Sequence, residues 1–255
     1  MQDWKAHIDL EHPCWEGYRV YLNRLPADVF PGPAALDRLL LPGLKNAAGK
    51  PVRFRPAAEL PGVAYEQHIH ETGEVSTREN SWHDLFNALA WCRFPSLKSA
   101  MNAVHYQNLG AEKDGRRGGQ RDALTLLDES GVVVTSPNEQ LLKALYKRDW
   151  QAAFVDYRDA WAGSGVLVCG HAILEKFLQP YKSMTAHALC LHLPQPMCVS
   201  ELDAALADAL LEGTLLRTPK DLSPLPLMGI PGWWTGGVQD AGFYADKTVF
   251  RPPPD

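Results

Sequence analysis

Side chains that transfer protons and orient substrates are concentrated between Thr77 and Glu129. The first group comprises His83, Asp84, Asn87, Asn102 and His105. Histidine is the usual general base or metal ligand near neutral pH, and asparagine can position a substrate or donate to an oxyanion. We predict that His83 or His105 transfers a proton, that Asp84 orients an imidazole, and that Asn87 and Asn102 hold the substrate. The alternative is a structural role, because histidine and asparagine side chains also cap neighbouring helices and form hydrogen bonds with buried backbone groups.

A basic, glycine-rich segment follows this group, with the sequence RRGGQRD at 116–122. Glycine lets backbone N–H groups turn towards an anion, and the arginine fork matches phosphate or carboxylate. The segment predicts a small anionic ligand held by Arg117 and Arg121, with Asp122 as a second acid that orients an imidazole. The spacing is not that of a phosphate-binding P-loop, and a solvated loop is the competing interpretation.

A second set of metal-binding residue types occurs further along the chain. His171 and Glu175 are four positions apart and share one face of a helix, which suits a divalent metal, and His187 on a following strand would be a third ligand. The spacing is not an HExxH motif, so hydrogen bonds within the core are the alternative. His68 and His70 alternate along a predicted strand over 63–69, where a solvent-facing strand is the commoner explanation.

Apolar periodicity predicts the elements that carry these residues. A helix begins after Asn80 or Ser81, because Trp82, Leu85, Phe86, Leu89 and Cys92 recur at helical spacing. A second helix follows Pro95 and ends near Gly110. Strands joined as a hairpin are predicted at 123–127 and 132–135, and later elements are a strand at 165–169, a helix at 171–178, a strand at 186–193 and a helix at 201–212.

Together these elements predict an α+β fold: a single compact domain with helices packed on a small mixed or antiparallel sheet. Residues 1–62 form a proline-rich wrapping segment, residues 63–213 the core, and residues 214–255 a loop-rich tail. We find neither an internal repeat nor a low-complexity linker that would divide the chain.

The composition excludes several classes of protein. The chain has 255 residues, 45% hydrophobic and 22% charged, with a formal net charge of −5. These values are ordinary for a globular protein and argue against a polybasic membrane binder or nucleic-acid coat. No secretory signal and no apolar run of membrane-spanning length is present. The five cysteines are scattered without a CxxC pair, which favours reduced thiols and a cytoplasmic location.

Several longer segments are distinctive. They read TRENSWHDLFNALAWCRFPSLKSAMNAVH at 77–105, RRGGQRDALTLLDESG at 116–131, GHAILEKFLQPYKSMTAHAL at 170–189, GIPGWW at 229–234 and FYADKTVFRP at 243–252. Together they resemble a bacterial family, the domain of unknown function 3025. The resemblance implies a soluble bacterial protein with a shared polar centre and brings no established activity. It places that centre at Thr77, Arg78, Asn80, Trp82, His83, Asp84, Asn87, Asn102, His105, Arg117, Arg121, Asp122, His171, Glu175 and His187.

Two functional hypotheses follow. The first is an enzyme, a hydrolase that needs only an activated water, with a His/Asp/Asn/Arg pocket for a ligand carrying phosphate or carboxylate. The second is a non-catalytic module that binds a nucleotide or nucleic acid, with Trp91, Tyr106 or Trp233 stacking on bases.

Overall fold

The strands of this computed structural model, which describes residues 3–60, 62, 64–109 and 118–252, form two sheets. The strands are β1 (Arg53–Pro56), β2 (Glu74–Thr77), β3 (Gly131–Ser136), β4 (Gly165–Val168), β5 (Thr185–His192) and β6 (Ser223–Pro226). The first two pair in parallel. The other four form a mixed sheet in the order β4–β3–β5–β6, in which β3 and β5 are parallel and both outer strands antiparallel.

The α-helices are α1 (Arg19–Leu22), α2 (Pro33–Asp37), α3 (Tyr65–Thr72), α4 (Trp82–Arg93), α5 (Pro95–Leu109), α6 (Gly119–Ser130), α7 (Glu139–Lys147), α8 (His171–Lys176), α9 (Val199–Leu211) and α10 (Ala241–Tyr244). Of these α-helices, α6, α7 and α8 pack against the larger sheet, and others pack on these helices or on the smaller sheet. The prediction of an α+β fold with helices on a small mixed sheet is confirmed. Within the described residues, no helix has the length and apolar character needed to cross a membrane.

The helix predicted after Ser81 is confirmed as α4. The Ser81 hydroxyl caps it by accepting the backbone N–H of Asp84 at 3.2 Å. Neighbouring elements bury α4 from Asp84 to Cys92 and α5 from Leu97 to His105, whereas His83, in the N-terminal turn of α4, is half-exposed. The cap therefore fixes His83 at the rim of the core.

The hairpin predicted at 123–135 is wrong, because its first strand is part of α6. The segment ALTLL reads equally well at helical spacing, since Ala123, Leu124 and Leu127 are fully buried on one face. The opposite face then carries Arg121, Thr125 and Glu129 at intervals of four residues. Only the second strand of the predicted hairpin exists, as β3.

The strand predicted at 63–69 is also wrong, because residues 65–72 form helix α3. Ile69 supplies its buried apolar contact, and Gly73 ends the helix with a left-handed conformation at φ 80°. His68 and His70 therefore do not alternate on a strand. His68 contacts Glu74 at 3.2 Å, and the His70 ring stacks on Tyr106 at 4.0 Å between centroids.

The proline-rich N-terminal residues contribute to the same apolar core as the sheet. Trp15, Tyr18 and Leu22 are almost completely buried. The Tyr18 hydroxyl donates to the Val168 carbonyl of β4 at 2.6 Å, which ties this segment to the sheet edge. The division into one domain with the three segments given above stays a prediction.

Candidate functional site

A polar cavity of 410 Å³ lies where α3, α4, α5, α6 and α8 meet, a volume within the range of small-molecule sites. Its lining consists of Ala57, Tyr65, Glu66, Ser76, Arg78, His83, Asp84, Asn87, His105, Arg121, Thr125, Asp128, Glu129 and His171. The fold thus brings six of the predicted site residues to one cavity: His83, Asp84, Asn87, His105, Arg121 and His171.

Two histidines from different helices meet in this cavity. His83 lies in the first turn of α4 and His171 begins α8, and these helices pack against each other. The Nε2 atoms are 3.0 Å apart and the rings are nearly perpendicular, at 77°. His171 is 4% exposed whereas the His83 side chain is 34% exposed, so the pair runs from the core towards solvent.

Each of these histidines has a carboxylate behind its Nδ1 atom. His83 Nδ1 lies 3.3 Å from Glu175 Oε2, one turn along α8 from His171. His171 Nδ1 lies 3.8 Å from Asp128 Oδ2 on α6. Only the His83–Glu175 contact is within hydrogen-bond distance, so Glu175 orients the His83 imidazole and favours its proton on Nδ1. Asp128 acts on His171 through its charge.

Glu129 completes a compact group with the two histidines. Its Oε2 atom is 3.6 Å from His171 Nε2, and one ligand atom each from His83, Glu129 and His171 lies within 4.8 Å of the others. Imidazole nitrogen and carboxylate oxygen are ligands for divalent transition metals. These three residues could therefore hold a metal.

Burial and neighbouring charges shift the pKa values of this group. Burial lowers the pKa of His171 to about 4, so its imidazole is neutral at pH 7. Burial also raises the pKa of the Glu129 carboxyl, against the opposing effect of His83. For Asp128 burial acts to raise the pKa, but the Lys98 ammonium and His171 outweigh it and hold the pKa below its ordinary value.

The predicted orienting acid Asp84 is engaged by Arg78. The guanidinium donates to both carboxylate oxygens, at 2.8 and 2.9 Å, and the Arg78 backbone N–H donates at 2.6 Å. Burial acts to raise the pKa of Asp84, but these hydrogen bonds prevail and keep it lowered. These hydrogen bonds hold the connection between β2 and α4 in place.

Asn87 belongs to a buried network that reaches the floor of the cavity. Its amide donates to the Tyr65 hydroxyl at 2.9 Å, and its carbonyl oxygen accepts from Lys98 Nζ at 2.8 Å. The same ammonium group also donates to Asp128 Oδ1 at 2.5 Å. Lys98 is only 6% exposed, so this network holds a charged pair inside the protein.

Asn102 and His105 lie on the buried side of α5. The Asn102 amide donates to the backbone carbonyl and to the carboxylate of Glu66, both at 2.8 Å. Burial raises the pKa of that Glu66 carboxyl, with the Asn102 hydrogen bond opposing it. His105 reaches the main cavity, whereas Asn102 lies behind it, beside a much smaller one.

The remaining predicted site residues lie elsewhere. Asp122 is in the first turn of α6 and is not among the lining residues, and Glu175 touches the site through His83. His187 on β5 pairs with the Ser130 hydroxyl at 2.8 Å, outside the group formed by His83, Glu129 and His171. Arg117 lies outside the described residues.

Sequence reasoning missed Asp128 and Glu129, because it assigned them to a hairpin turn. Tyr65 and Glu66 were missed for the same kind of reason, since the sequence predicts a strand over 63–69 where the structure has α3. A helical interpretation of 119–130 places Arg121, Thr125, Asp128 and Glu129 at i, i+4, i+7 and i+8 on one face, and this spacing was the signal.

The fold and the site define an α+β protein whose helices enclose a histidine- and carboxylate-lined cavity. The chain belongs to the family described as protein of unknown function (DUF3025), whose sequence model matches residues 52–253 and includes every lining residue of the cavity. The resemblance seen in the sequence is thereby confirmed. No curated protein and no solved structure matches the chain.

Proposed function

We propose that the protein is a hydrolase that acts in this cavity on a small ligand carrying phosphate or carboxylate. The observation that carries the proposal is the His83–His171 contact, at 3.0 Å, in the same cavity as Arg121. Groups that can move a proton and a group that can bind an anion thus share one enclosed space.

Water activation is assigned to the side of the cavity occupied by His83, His171 and Glu129. These two imidazoles and the Glu129 carboxylate, whose ligand atoms lie within 4.8 Å of one another, can together take up a proton from a water molecule bound beside them. The resulting hydroxide attacks the phosphorus or carbonyl carbon of an ester, and the bond to the leaving oxygen breaks. The leaving oxygen takes up a proton, so that water is consumed and an alcohol and an acid are formed.

Substrate binding is assigned to Arg121, and proton donation to the leaving oxygen to His105. The guanidinium offers five donors in a fork that fits phosphate or carboxylate oxygens. Both residues line the cavity, Arg121 from α6 and His105 from α5.

The alternative of a base-stacking nucleic-acid module is not favoured. Trp91 is 1% exposed and Trp233 is 6% exposed, so neither ring offers a free face. The Tyr106 ring already stacks on His70. Stacking platforms for single strands need accessible aromatic faces.

Turnover of a panel of phosphomonoesters, phosphodiesters and carboxylate esters tests the proposal. We expect His83→Ala and His105→Ala to lose nearly all turnover while circular dichroism reports a retained fold. The exposed His192→Ala is the matched control and should keep full turnover. Normal turnover in both cavity variants, or a wild-type protein without hydrolysis of any ester, would contradict the proposal.

A further inference from the structure

We infer that His83, Glu129 and His171 bind one divalent transition-metal ion. The inference deepens the proposed function by placing a metal at the water-activating side of the cavity. It depends on the ligand geometry alone and therefore stands whether or not the protein is a hydrolase.

The arrangement of hydrogen-bonding atoms calls for a cation between the two imidazoles. An ionised carboxylate can only accept a hydrogen bond, so Glu175, at 3.3 Å, favours the proton on Nδ1 of His83. Asp128 Oδ2 lies 3.8 Å from His171 Nδ1, beyond hydrogen-bond distance, and its negative charge favours a proton on that nitrogen. Both Nε2 atoms then present lone pairs, yet they lie 3.0 Å apart. Two facing acceptors repel each other unless a positive charge lies between them.

A third acceptor points at the same place. Glu129 Oε2 lies 3.6 Å from His171 Nε2, and a carboxylate oxygen adds negative charge to the group. A single shared proton can link two of these atoms but not three. A metal ion can bind all three.

The separations are close to those of a metal site. Metal–nitrogen bonds of about 2.0–2.1 Å at tetrahedral angles place two ligand nitrogens ~3.3 Å apart. The observed separations of 3.0 and 3.6 Å bracket that value. Side-chain movements that bring the third pair, His83 and Glu129, from within 4.8 Å to the same spacing would complete the coordination, and Glu175 fixes the ring orientation of His83.

The charges around the cavity also favour a cation. The lining includes four carboxylates, from Glu66, Asp84, Asp128 and Glu129, and two guanidinium groups, from Arg78 and Arg121. The Lys98 ammonium adds a third positive charge, which pairs with Asp128. One negative charge remains when the imidazoles are not counted, and a cation beside Glu129 would lower the cost of keeping that acid ionised in a partly enclosed site.

The exposure of the ligands indicates which kind of site this is. His171 is 4% exposed and closes the group on the core side, whereas the His83 and Glu129 side chains are 34% and 45% exposed. Three protein ligands with an open side towards a cavity are typical of catalytic sites rather than structural ones. Two histidines and one carboxylate suit Zn²⁺ and Fe²⁺, and the experiment separates these two ions.

Across 3–60, 62, 64–109 and 118–252, no other group of three such ligands comes together in this way. His187 contacts Ser130, and His68 contacts Glu74. These two histidines are therefore suitable controls. His187 also tests the ligand set that the sequence predicts.

The test is metal analysis of the purified full chain, followed by calorimetric titration of the chelator-treated protein with Zn²⁺ and, without oxygen, with Fe²⁺. We expect one ion per chain. Glu129→Gln and His83→Asn should abolish stoichiometric binding, and Glu175→Gln should weaken it about 10–100-fold because it supports a ligand from behind. His187→Ala and His68→Ala should bind as the wild type does.

Absence of binding of either ion to folded wild-type protein would overturn the inference, and the two imidazoles would then share a proton. Unchanged binding in both Glu129→Gln and His83→Asn would overturn it as well, because the ion would sit elsewhere. Glu129→Gln keeps the shape of a half-exposed side chain, so its folding can be checked separately by circular dichroism. Metal binding without ester hydrolysis would support this site and contradict the hydrolase, whereas ester hydrolysis by a protein that binds neither ion would support the hydrolase and contradict this site.

Discussion

The Nε2 atoms of His83 and His171 lie 3.0 Å apart, although 88 positions separate these residues in the chain. Helix packing creates this relationship: α4 and α6 both pack against α8, and each of the three helices supplies part of the group. The position of His171 relative to His83 and Glu129 therefore depends on how the first residue of α8 is held.

Gly170 holds the start of α8 against β3, and we predict that Gly170→Ala destabilises the protein. A Cβ atom at this position would lie 2.3 Å from the backbone nitrogen of Gly131 and 2.7 Å from Ser130 Cα, too close for any side chain. We expect a loss of about 2–3 kcal/mol in the free energy of unfolding, measured with urea, because the backbone itself must move. Metal binding should weaken too, since His171 follows directly.

Gly163→Ala is the matched control for that change. A Cβ atom there would meet only Pro137 Cγ, at 3.9 Å, which is an ordinary contact. Its effect on stability should be within about 1 kcal/mol in either direction. Equal stability of the two variants would show that the backbone around Gly170 accommodates a Cβ atom without cost.

Arg121 is predicted to bind the anionic part of the ligand. In Arg121→Gln we expect the inhibition constant of inorganic phosphate to rise about 10–100-fold, the effect of losing hydrogen bonds to a charged group. The measurement is competition by phosphate in the ester assay, at two salt concentrations. Arg53→Gln, at an exposed position on β1, should leave inhibition unchanged. Equal inhibition of the wild type and Arg121→Gln by phosphate would show that Arg121 does not bind the anionic part of the ligand.

Asp203 joins α9 to the start of α5, and its loss should destabilise the protein. This carboxylate is 3% exposed and accepts the backbone N–H groups of Ser96 and Leu97, both at 2.9 Å. It thus acts as a helix cap supplied by a distant element. We expect Asp203→Ala to lower the free energy of unfolding by ~2 kcal/mol in urea titrations.

The exposed Asp208→Ala on the same helix controls for loss of charge and should be nearly neutral. The free energy of unfolding of Asp203→Asn should lie between those of Asp203→Ala and Asp208→Ala, because one amide oxygen can still accept a hydrogen bond. A neutral Asp203→Ala would mean that water replaces the cap without cost.

The sequence was sufficient to predict elements with a strong period and a clear cap. Helix α4 is an example, because its apolar spacing and Ser81 agree. Strands β3 and β5 are short apolar runs bounded by polar residues, and they also lie near their predicted positions. Helix α4 carries His83, Asp84 and Asn87, so this part of the cavity could be predicted.

The remaining elements and cavity residues depend on tertiary contacts that a single sequence does not specify. The segment ALTLL suits a strand or a helix by local preference, and packing against α8 selects the helix, which brings Glu129 to His171. Likewise, the i, i+4 spacing correctly groups His171 with Glu175 on α8. It cannot show that Glu175 faces His83, since that contact crosses between helices.

His12 should make the stability of the protein depend on pH. Its ring is buried, accepts the Cys14 backbone N–H at Nδ1 and pairs through Nε2 with the Trp233 carbonyl at 2.8 Å. Burial lowers the pKa of His12, against the raising effect of the Trp233 hydrogen bond. The folded protein thus holds the neutral ring, whereas the unfolded chain takes up a proton near pH 6.5. The stability that His12 contributes is present above pH 6.5 and is lost as the pH falls towards its folded pKa.

His12→Phe keeps a ring against Phe177 and Trp233 but removes the hydrogen bonds and the titration. At pH 7.5 we expect it to be ~2 kcal/mol less stable than the wild type, because two buried backbone groups lose their partner. The difference in free energy of unfolding between the two proteins should be smaller at pH 5, where only the wild type loses the contribution of a neutral histidine. Urea denaturation of both proteins at pH 7.5 and pH 5 measures this difference. A difference that stays constant or widens at pH 5 would show that folding does not select the neutral form of His12.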